Sequence, residues 1–295
     1  MNPKSKQPAS SITPVPHEYE KRISKPGQYA KSPFVNSQAS RTFYVNKSVD
    51  EVYSMVCQHG WKLAPRDPFN KEIVIDLDDI YVSLGDLAES VRPRNKLYNT
   101  VAEIGINIIK RENQNPKKII MPLRIASYLI EGRDNLKEVT RCFENSPSNR
   151  LDHKDIVCFP TLQAFPGTPK DASGHYWLVN LNIKAQRFEI YDSLGNNSEP
   201  VNMHACHLLI AGIKTNWTRQ YSNSKIKIMD WPIEIIDSPR QNNGYDCGFF
   251  TLKNLEACPS RTPTTYSQKD IPNIRKLYTD KWLHFTKKAN WQLFV

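Results

Sequence analysis

Tyr176 to Leu181 is an aromatic and aliphatic run, and a second one, Phe188 to Tyr191, follows across residues 182–187. Two such runs at that separation predict paired antiparallel strands, and the rest of the chain must be arranged around them. Upstream, Ile156-Val157-Cys158-Phe159-Pro160 reads as a short apolar strand ending at its proline, followed by a loop rich in Pro, Gly and Thr. The first half of the chain is helical in pattern. Val49, Val52, Tyr53, Val56 and Cys57 form one stripe, and Leu97, Val101, Ile104 and Ile108 form another across 97–110. A short strand is expected at 73–75, a helix beginning at Ser83 and broken near Pro93, and a helix over 122–132 that opens with Pro and closes with Gly. After the strands, residues 202–217, 247–257 and 273–286 read as helices, and Lys225–Met229 as a strand. Helices, then strands, then helices is the segregation of an α+β domain.

Composition sets the class. The chain has 295 residues, of which 39% are hydrophobic, enough for a sizeable core. Residues 1–40 differ: they are rich in Pro, Ser, Lys and Gln, with Lys4, Lys6, Lys21, Arg22, Lys25 and Lys31 against Glu18 and Glu20. Such a stretch cannot offset its ordering entropy and is expected to form a disordered basic tail. The formal net charge of +10 is otherwise spread along the chain. With no RNA-binding aromatic signature and no zinc-finger spacing, it argues for acidic partners or solubility and against nucleic acid. The six cysteines show no C-x-x-C spacing, and no secretory segment opens the chain. They read as reduced thiols of an intracellular protein of nucleus or cytoplasm. No apolar run approaches membrane-spanning length, so no membrane partner is expected.

The residues that carry chemistry lie around the strands. Cys247 stands where the helix of residues 247–257 begins, and a helix N-terminus favours a thiolate. Asp246 is placed to cap that helix through the N–H of Gly248 or Phe249, and Gly248 to let backbone approach a substrate carbonyl. The Asp246 charge opposes thiolate formation, so a cation is needed close by. His175, at the head of the first strand, is the candidate. Asp192 ends the second strand, and in a hairpin the start of one strand lies beside the end of the other. One ring nitrogen would then bond Asp192 and leave the other for Cys247. Gln241 supplies an amide that, with the Cys247 N–H, could donate to an oxyanion. Singly, each has a bland reading: a packed histidine, a turn-forming aspartate, a solvated glutamine, a structural cysteine. Jointly, they converge on one cleft.

The segment Gln241-Asn242-Asn243-Gly244-Tyr245-Asp246-Cys247-Gly248, together with Gly174-His175-Tyr176-Trp177 and Tyr191-Asp192-Ser193, resembles the ubiquitin-like-protein-specific (Ulp-type, SUMO protease) cysteine proteases. The divergent plant members are the most similar in pattern. The resemblance assigns residues 41–295 to one protease domain and is strongest over 80–290. It implies a papain-like cysteine protease core with a central mixed sheet flanked by helices. It further implies a Cys-His-Asp mechanism with Cys247 as nucleophile, His175 as base, Asp192 as orienter and Gln241 as oxyanion donor. No metal and no cofactor are implied, and the partner is a ubiquitin-like modifier or its protein conjugates. Substrate contacts are expected from Tyr176, Trp177, Lys96 and Gly244. Two departures bear on specificity. The family's Trp-Leu-Asn-Asp is matched by Lys96-Leu97-Tyr98-Asn99, and Tyr176 stands between His175 and Trp177 where the family has Trp directly after the histidine. These leave open a catalytically silent module that binds a modifier or another protein, and an acyltransferase using the same thiol. His204-Ala205-Cys206-His207 places two histidines at i, i+3, but no second ligand cluster accompanies them, and a structural or surface role is expected. Oligomeric state is not legible.

Overall fold

The computed structural model describes residues 43–62, 68–163, 174–195, 203–259 and 266–285; the tail expected over 1–40 lies outside them. The elements run α1 (Lys47–Lys62), β1 (Ile73–Leu77), β2 (Ile80–Ser83), α2 (Leu84–Val91), α3 (Asn99–Glu112), β3 (Lys118–Ile120), α4 (Leu123–Ile130) and α5 (Lys137–Phe143). They continue with β4 (Ile156–Gln163), β5 (His175–Asn182), β6 (Arg187–Tyr191), α6 (Met203–Gln220), β7 (Ile233–Ile235), α7 (Cys247–Ala257) and α8 (Ile271–Phe285). Among the described residues five strands form one sheet in the order β3-β4-β5-β6-β7, and β1 and β2 form a separate hairpin. The expected hairpin is at the centre of the large sheet: β5 and β6 are antiparallel, with Leu178 opposite Tyr191 and Asn182 opposite Arg187. β4 is antiparallel to β5, while β3 and β7 run parallel to their neighbours. The fold is therefore α+β with a mixed sheet, as the order of patterns implied.

β4 and β5 are buried nearly end to end, which explains why both read as continuous apolar runs rather than alternating ones. Each face packs on a different core. On one side Cys158, Tyr176 and Leu178 join α1, α2, α3, α7, α8 and the β1–β2 hairpin. On the other, Val157, Phe159, Trp177, Val179 and Phe188 join α4, α5 and α6. The strand period of two sends Tyr176 and Trp177 to opposite cores.

Three sequence expectations are corrected. β4 does not stop at Pro160 but runs on to Gln163. β3 accompanies it only as far as Cys158, so the proline stands where the strand has one paired edge, the setting a missing N–H tolerates. The third helix begins at Asn99, not at 97: Tyr98 is its extended N-cap, and the Leu97 carbonyl accepts from the Tyr176 hydroxyl at 3.0 Å instead of joining the helical ladder. Residues 225–229 are not a strand. The Ile226 carbonyl accepts from the Trp217 indole at 3.1 Å and its N–H donates to Ser224 Oγ at 3.2 Å, so side chains occupy the groups a ladder would use. β7, which begins at Ile233, pairs with β6 instead.

α7 is buried against β5, α3 and α8, and its C-terminal carbonyls need donors. Lys118, buried in β3, donates its ammonium to the carbonyls of Leu255 at 2.5 Å and Cys258 at 2.6 Å, a cation placed where the helix dipole favours one. Replacing it with an apolar side chain orphans both carbonyls. Lys118→Met is expected to lower the unfolding free energy by roughly 2 kcal/mol or more, read as a reduced urea midpoint at unchanged slope.

Candidate active site

His175 opens β5 and Asp192 directly follows β6, so the antiparallel register brings them to the same end of the sheet. His175 Nε2 lies 2.7 Å from Asp192 Oδ1, and both side chains are buried. The same Asp192 oxygen accepts the Leu194 N–H at 2.9 Å. Asp192 is thus both the turn former and the partner of the imidazole. The N-terminus of α7 meets this pair, with the Cys247 thiol in hydrogen-bonding contact with the His175 ring. Since Nε2 is taken by Asp192, Nδ1 is the nitrogen left to face the sulfur. Burial alone would pull the imidazole pKa down. The Asp192 hydrogen bond and the Cys247 contact outweigh it and push His175 up to about 9.

Gln241 joins the site through Ser193. The Ser193 hydroxyl donates to Gln241 Oε1 at 2.6 Å, and the Gln241 N–H donates to the Ser193 carbonyl at 2.8 Å. This turns the amide so that Nε2 is the free-standing donor end, with one hydrogen going to the Asn243 carbonyl and a second remaining. Arg240 clamps the other strand of the loop by donating to the carbonyls of Asp192, at 2.6 Å, and Gly195.

Asp246 does not cap α7 with its side chain, contrary to expectation. Its carbonyl takes the N–H groups of Phe249 at 3.0 Å and Phe250 at 3.2 Å. The carboxylate is engaged elsewhere. One oxygen pairs with the Arg275 guanidinium, and the other accepts from Asn243 Nδ2 and Gln268 Nε2, each at 2.7 Å. The cation beside the Asp246 carboxylate is therefore Arg275.

Of the expected substrate-contact residues, three are brought to this end of the molecule. Tyr176 packs against Leu97 and the first turn of α7, Lys96 is the partly exposed neighbour of Leu97, and Gly244 is exposed at the tip of the loop before Cys247. A Cβ at Gly244 would meet nothing within 4 Å, so its side is open to solvent. Trp177 is not with them. It is buried in the core on the α6 side of the sheet, because Tyr176 takes the position that faces α7. Gly248 is required for a different reason from the expected one. A Cβ there would stand 2.8 Å from Leu97 Cβ and 3.3 Å from Tyr176 Cδ2, so its bareness admits these two side chains. A cavity of about 290 Å³ opens beside them, lined by Asn99, Thr100, Glu103, Arg124 and Leu162; Leu162 is the cross-strand partner of Tyr176.

Ser193, Asn243, Arg240 and Arg275 were not singled out from the sequence. Asn243 carried a readable signal, an Asx-type turn two residues before Tyr245, and its Oδ1 accepts the N–H groups of Tyr245 and Asp246 at 3.1 Å. Arg275 carried none, since a charged residue within a helix usually faces solvent. On α6, His204 and His207 are exposed while Cys206 is buried. Among the described residues no three His, Cys, Asp or Glu side chains converge on a point that could hold a metal.

A model of the Ulp1 protease family, C-terminal catalytic domain, matches residues 114–288, more than half of the chain. The chain belongs to the Ulp1 protease family. Among curated relatives, ubiquitin-like-specific protease ESD4 of Arabidopsis thaliana is 25% identical over 198 residues, 65% of this chain and 38% of that protein. Sentrin-specific protease 2 of Homo sapiens is 28% identical over 116 residues, 37% of this chain and 18% of that protein. The chain spans about half or less of the length of the curated relatives it matches. Among solved structures, the SUMO protease Ulp1 with its catalytic cysteine oxidised to a sulfenic acid superposes with a TM-score of 0.62 at 18% identity, covering 82% of this chain and 96% of that one. The Ulp1 protease domain in complex with Smt3, the yeast ortholog of SUMO, gives 0.61 at 20% identity, covering 81% and 96%. At that identity the likeness is one of fold, the papain-like α+β core of Ulp1 proteases. α1 to α3 and the β1–β2 hairpin precede the stretch matched by the family model.

Two outcomes follow for this Ulp1-family site. His175 binds its proton more tightly in the folded chain than its ordinary value of 6.5 allows. Its contribution to stability is therefore complete below about pH 6.5 and is lost as pH rises through about 9. Asp192→Asn should flatten that loss, measured as melting temperature against pH from 6 to 9.5. Gly248→Ala forces Leu97 and Tyr176 away from α7 and should destabilise the fold by about 1–3 kcal/mol. Urea unfolding at a melting-independent temperature reads it, and an unchanged midpoint would contradict the close contact.

Proposed function

We propose that this chain is a cysteine-type peptidase or isopeptidase that cleaves ubiquitin-like, SUMO-like modifier precursors or conjugates through Cys247, His175 and Asp192. The observation that carries the reading is the buried His175–Asp192 hydrogen bond with the Cys247 thiol on the same imidazole, at the N-terminus of α7. His175 takes the thiol proton, and Cys247 Sγ attacks the carbonyl carbon of the scissile bond. Asp192 holds the ring and favours its charged form. The oxyanion is received by the Cys247 N–H and the remaining hydrogen of Gln241 Nε2, each donor worth roughly 3 kcal/mol of barrier. The imidazolium returns its proton to the leaving amine, and water then releases the acyl group from the thioester and restores the thiol.

Substrate recognition is assigned to the surface formed by Lys96 and the open side of Gly244, above the buried Tyr176 and Leu97. The modifier tail runs past Lys96 and Gly244, and the modifier body meets the N-terminus of α3 and its cavity. The solved Ulp1 domain in complex with Smt3 supports a partner of that kind. Lys96, where the family's Trp-Leu-Asn-Asp has its tryptophan, favours a tail with an acidic or polar residue near its end over an apolar one. It also keeps a second reading in play, that of a silent binding module. The free cysteines support an intracellular setting, nucleus or cytoplasm; no described helix is long and apolar enough to cross a membrane.

A panel of ubiquitin-like modifiers carrying a C-terminal vinyl sulfone tests the proposal. At least one should form a covalent adduct with wild type that is lost in Cys247→Ala and slowed about 100-fold in Gln241→Ala. Binding to a modifier that survives Cys247→Ala, with no adduct and no turnover of any conjugate, would establish the binding module instead.

A further inference from the structure

We infer that Arg275 sets the reactivity of Cys247 by neutralising Asp246, and so acts as a positioning residue for the nucleophile from 28 residues downstream, on α8. The inference rests on Cys247 being the nucleophile. Asp246 is the residue immediately before Cys247, and its carboxylate is almost wholly enclosed: the side chains of Arg275 and Asp246 are 3% and 4% exposed. Cys247 is buried as well, so a bare carboxylate one residue from a forming thiolate would oppose it, since little water is present to screen the two charges.

The carboxylate is there for a reason. Its second oxygen holds Asn243 and Gln268, and Asn243 in turn receives Gln241 Nε2 on its carbonyl and orders the Tyr245 and Asp246 amides. Asp246 is thus the hub of the loop that carries the oxyanion donor to the start of α7. A neutral amide could accept some of those bonds, but it would carry no charge to balance a guanidinium.

Arg275 is built to supply the balancing charge and nothing mobile. Its Nε lies 3.2 Å from Asp246 Oδ1 and its Nη2 also donates to that oxygen. Nη1 donates to the carbonyls of Ser90, Val91 and Arg92 at 3.0–3.3 Å, and Nη2 to that of Asn95 at 2.8 Å. The guanidinium carbon sits 4.1 Å from the centre of the Phe249 ring. The C-terminal carbonyls of α2 and an aromatic face make a site for a cation, and the charge that site holds is spent on Asp246.

The test is the second-order rate at which iodoacetamide alkylates Cys247 at pH 7, followed by peptide mass mapping and normalised to folded protein. Arg275→Gln should slow alkylation about tenfold or more. Adding Asp246→Asn to it should bring the rate back to within about threefold of wild type, because the uncompensated charge is then gone. A purely structural staple would show no such rescue. A double variant as slow as Arg275→Gln, or Arg275→Gln alkylated at the wild-type rate, overturns the inference. Arg275→Lys is the companion variant should Arg275→Gln not fold. It keeps the charge and loses the fork, so it should keep the rate within about threefold while melting at a lower temperature, and a rate lost together with stability overturns the inference. Failure of the underlying reading looks different: wild-type Cys247 would then react no faster than the same residue in urea.

Discussion

α7 is buried with a charged side chain answering each of its ends. Lys118 takes the carbonyls at its C-terminus, where the helix dipole favours positive charge. At the other end Asp246 supplies the negative charge that an N-terminus favours, and Arg275 balances it. With its polar ends answered, the helix lies flat against β5 and α3, and Gly248 lets Leu97 and Tyr176 close over its first turn. Everything at the site is measured from that seating. Cys247 is the first residue of the helix, and its position relative to the sheet decides whether its thiol reaches His175.

The sheet provides the other half of the constraint. The β5–β6 ladder has one register that buries both faces, and a slip of one residue would turn every side chain to the wrong core. That register places His175 and Asp192 at one end of the sheet with 2.7 Å between their polar atoms. It also sends Tyr176 towards α7 and Trp177 away. The site is therefore a meeting of two rigid pieces, a strand pair and a helix N-terminus, joined by hydrogen bonds between Ser193 and the loop from Gln241 to Asp246. Hydrogen bonds run along that junction from Ser193 to Gln241, Asn243 and Asp246 and end on Arg275. Buried polar groups that are all answered rigidify a site, whereas a gap in such a chain is costly.

Much of this was legible in residue order. The apolar runs predict β5 and β6, and hairpin geometry places His175 beside Asp192. Cys247 at the start of a helical pattern with Gln241 upstream was readable as well. Three kinds of feature were not. Pro160 looked like a strand end because the sequence does not say which strand edges are unpaired. Residues 225–229 have strand composition, but the Trp217 indole and the Ser224 hydroxyl occupy their backbone groups. Trp177 looked like a site residue by adjacency, whereas a strand separates neighbours onto opposite faces.

By itself, the sequence determined the α+β class, the candidate quartet and the family pattern, because these depend on local periodicity and on spacing within short segments. Only the tertiary structure decided what each charge near the nucleophile is paired with. Asp246 reads locally as a helix cap and Arg275 as a surface residue. Burial brought them together, since a carboxylate and a guanidinium removed from water must find each other or be expelled. That pairing depends on how α2, α7 and α8 pack, and no stretch of residue order encodes it.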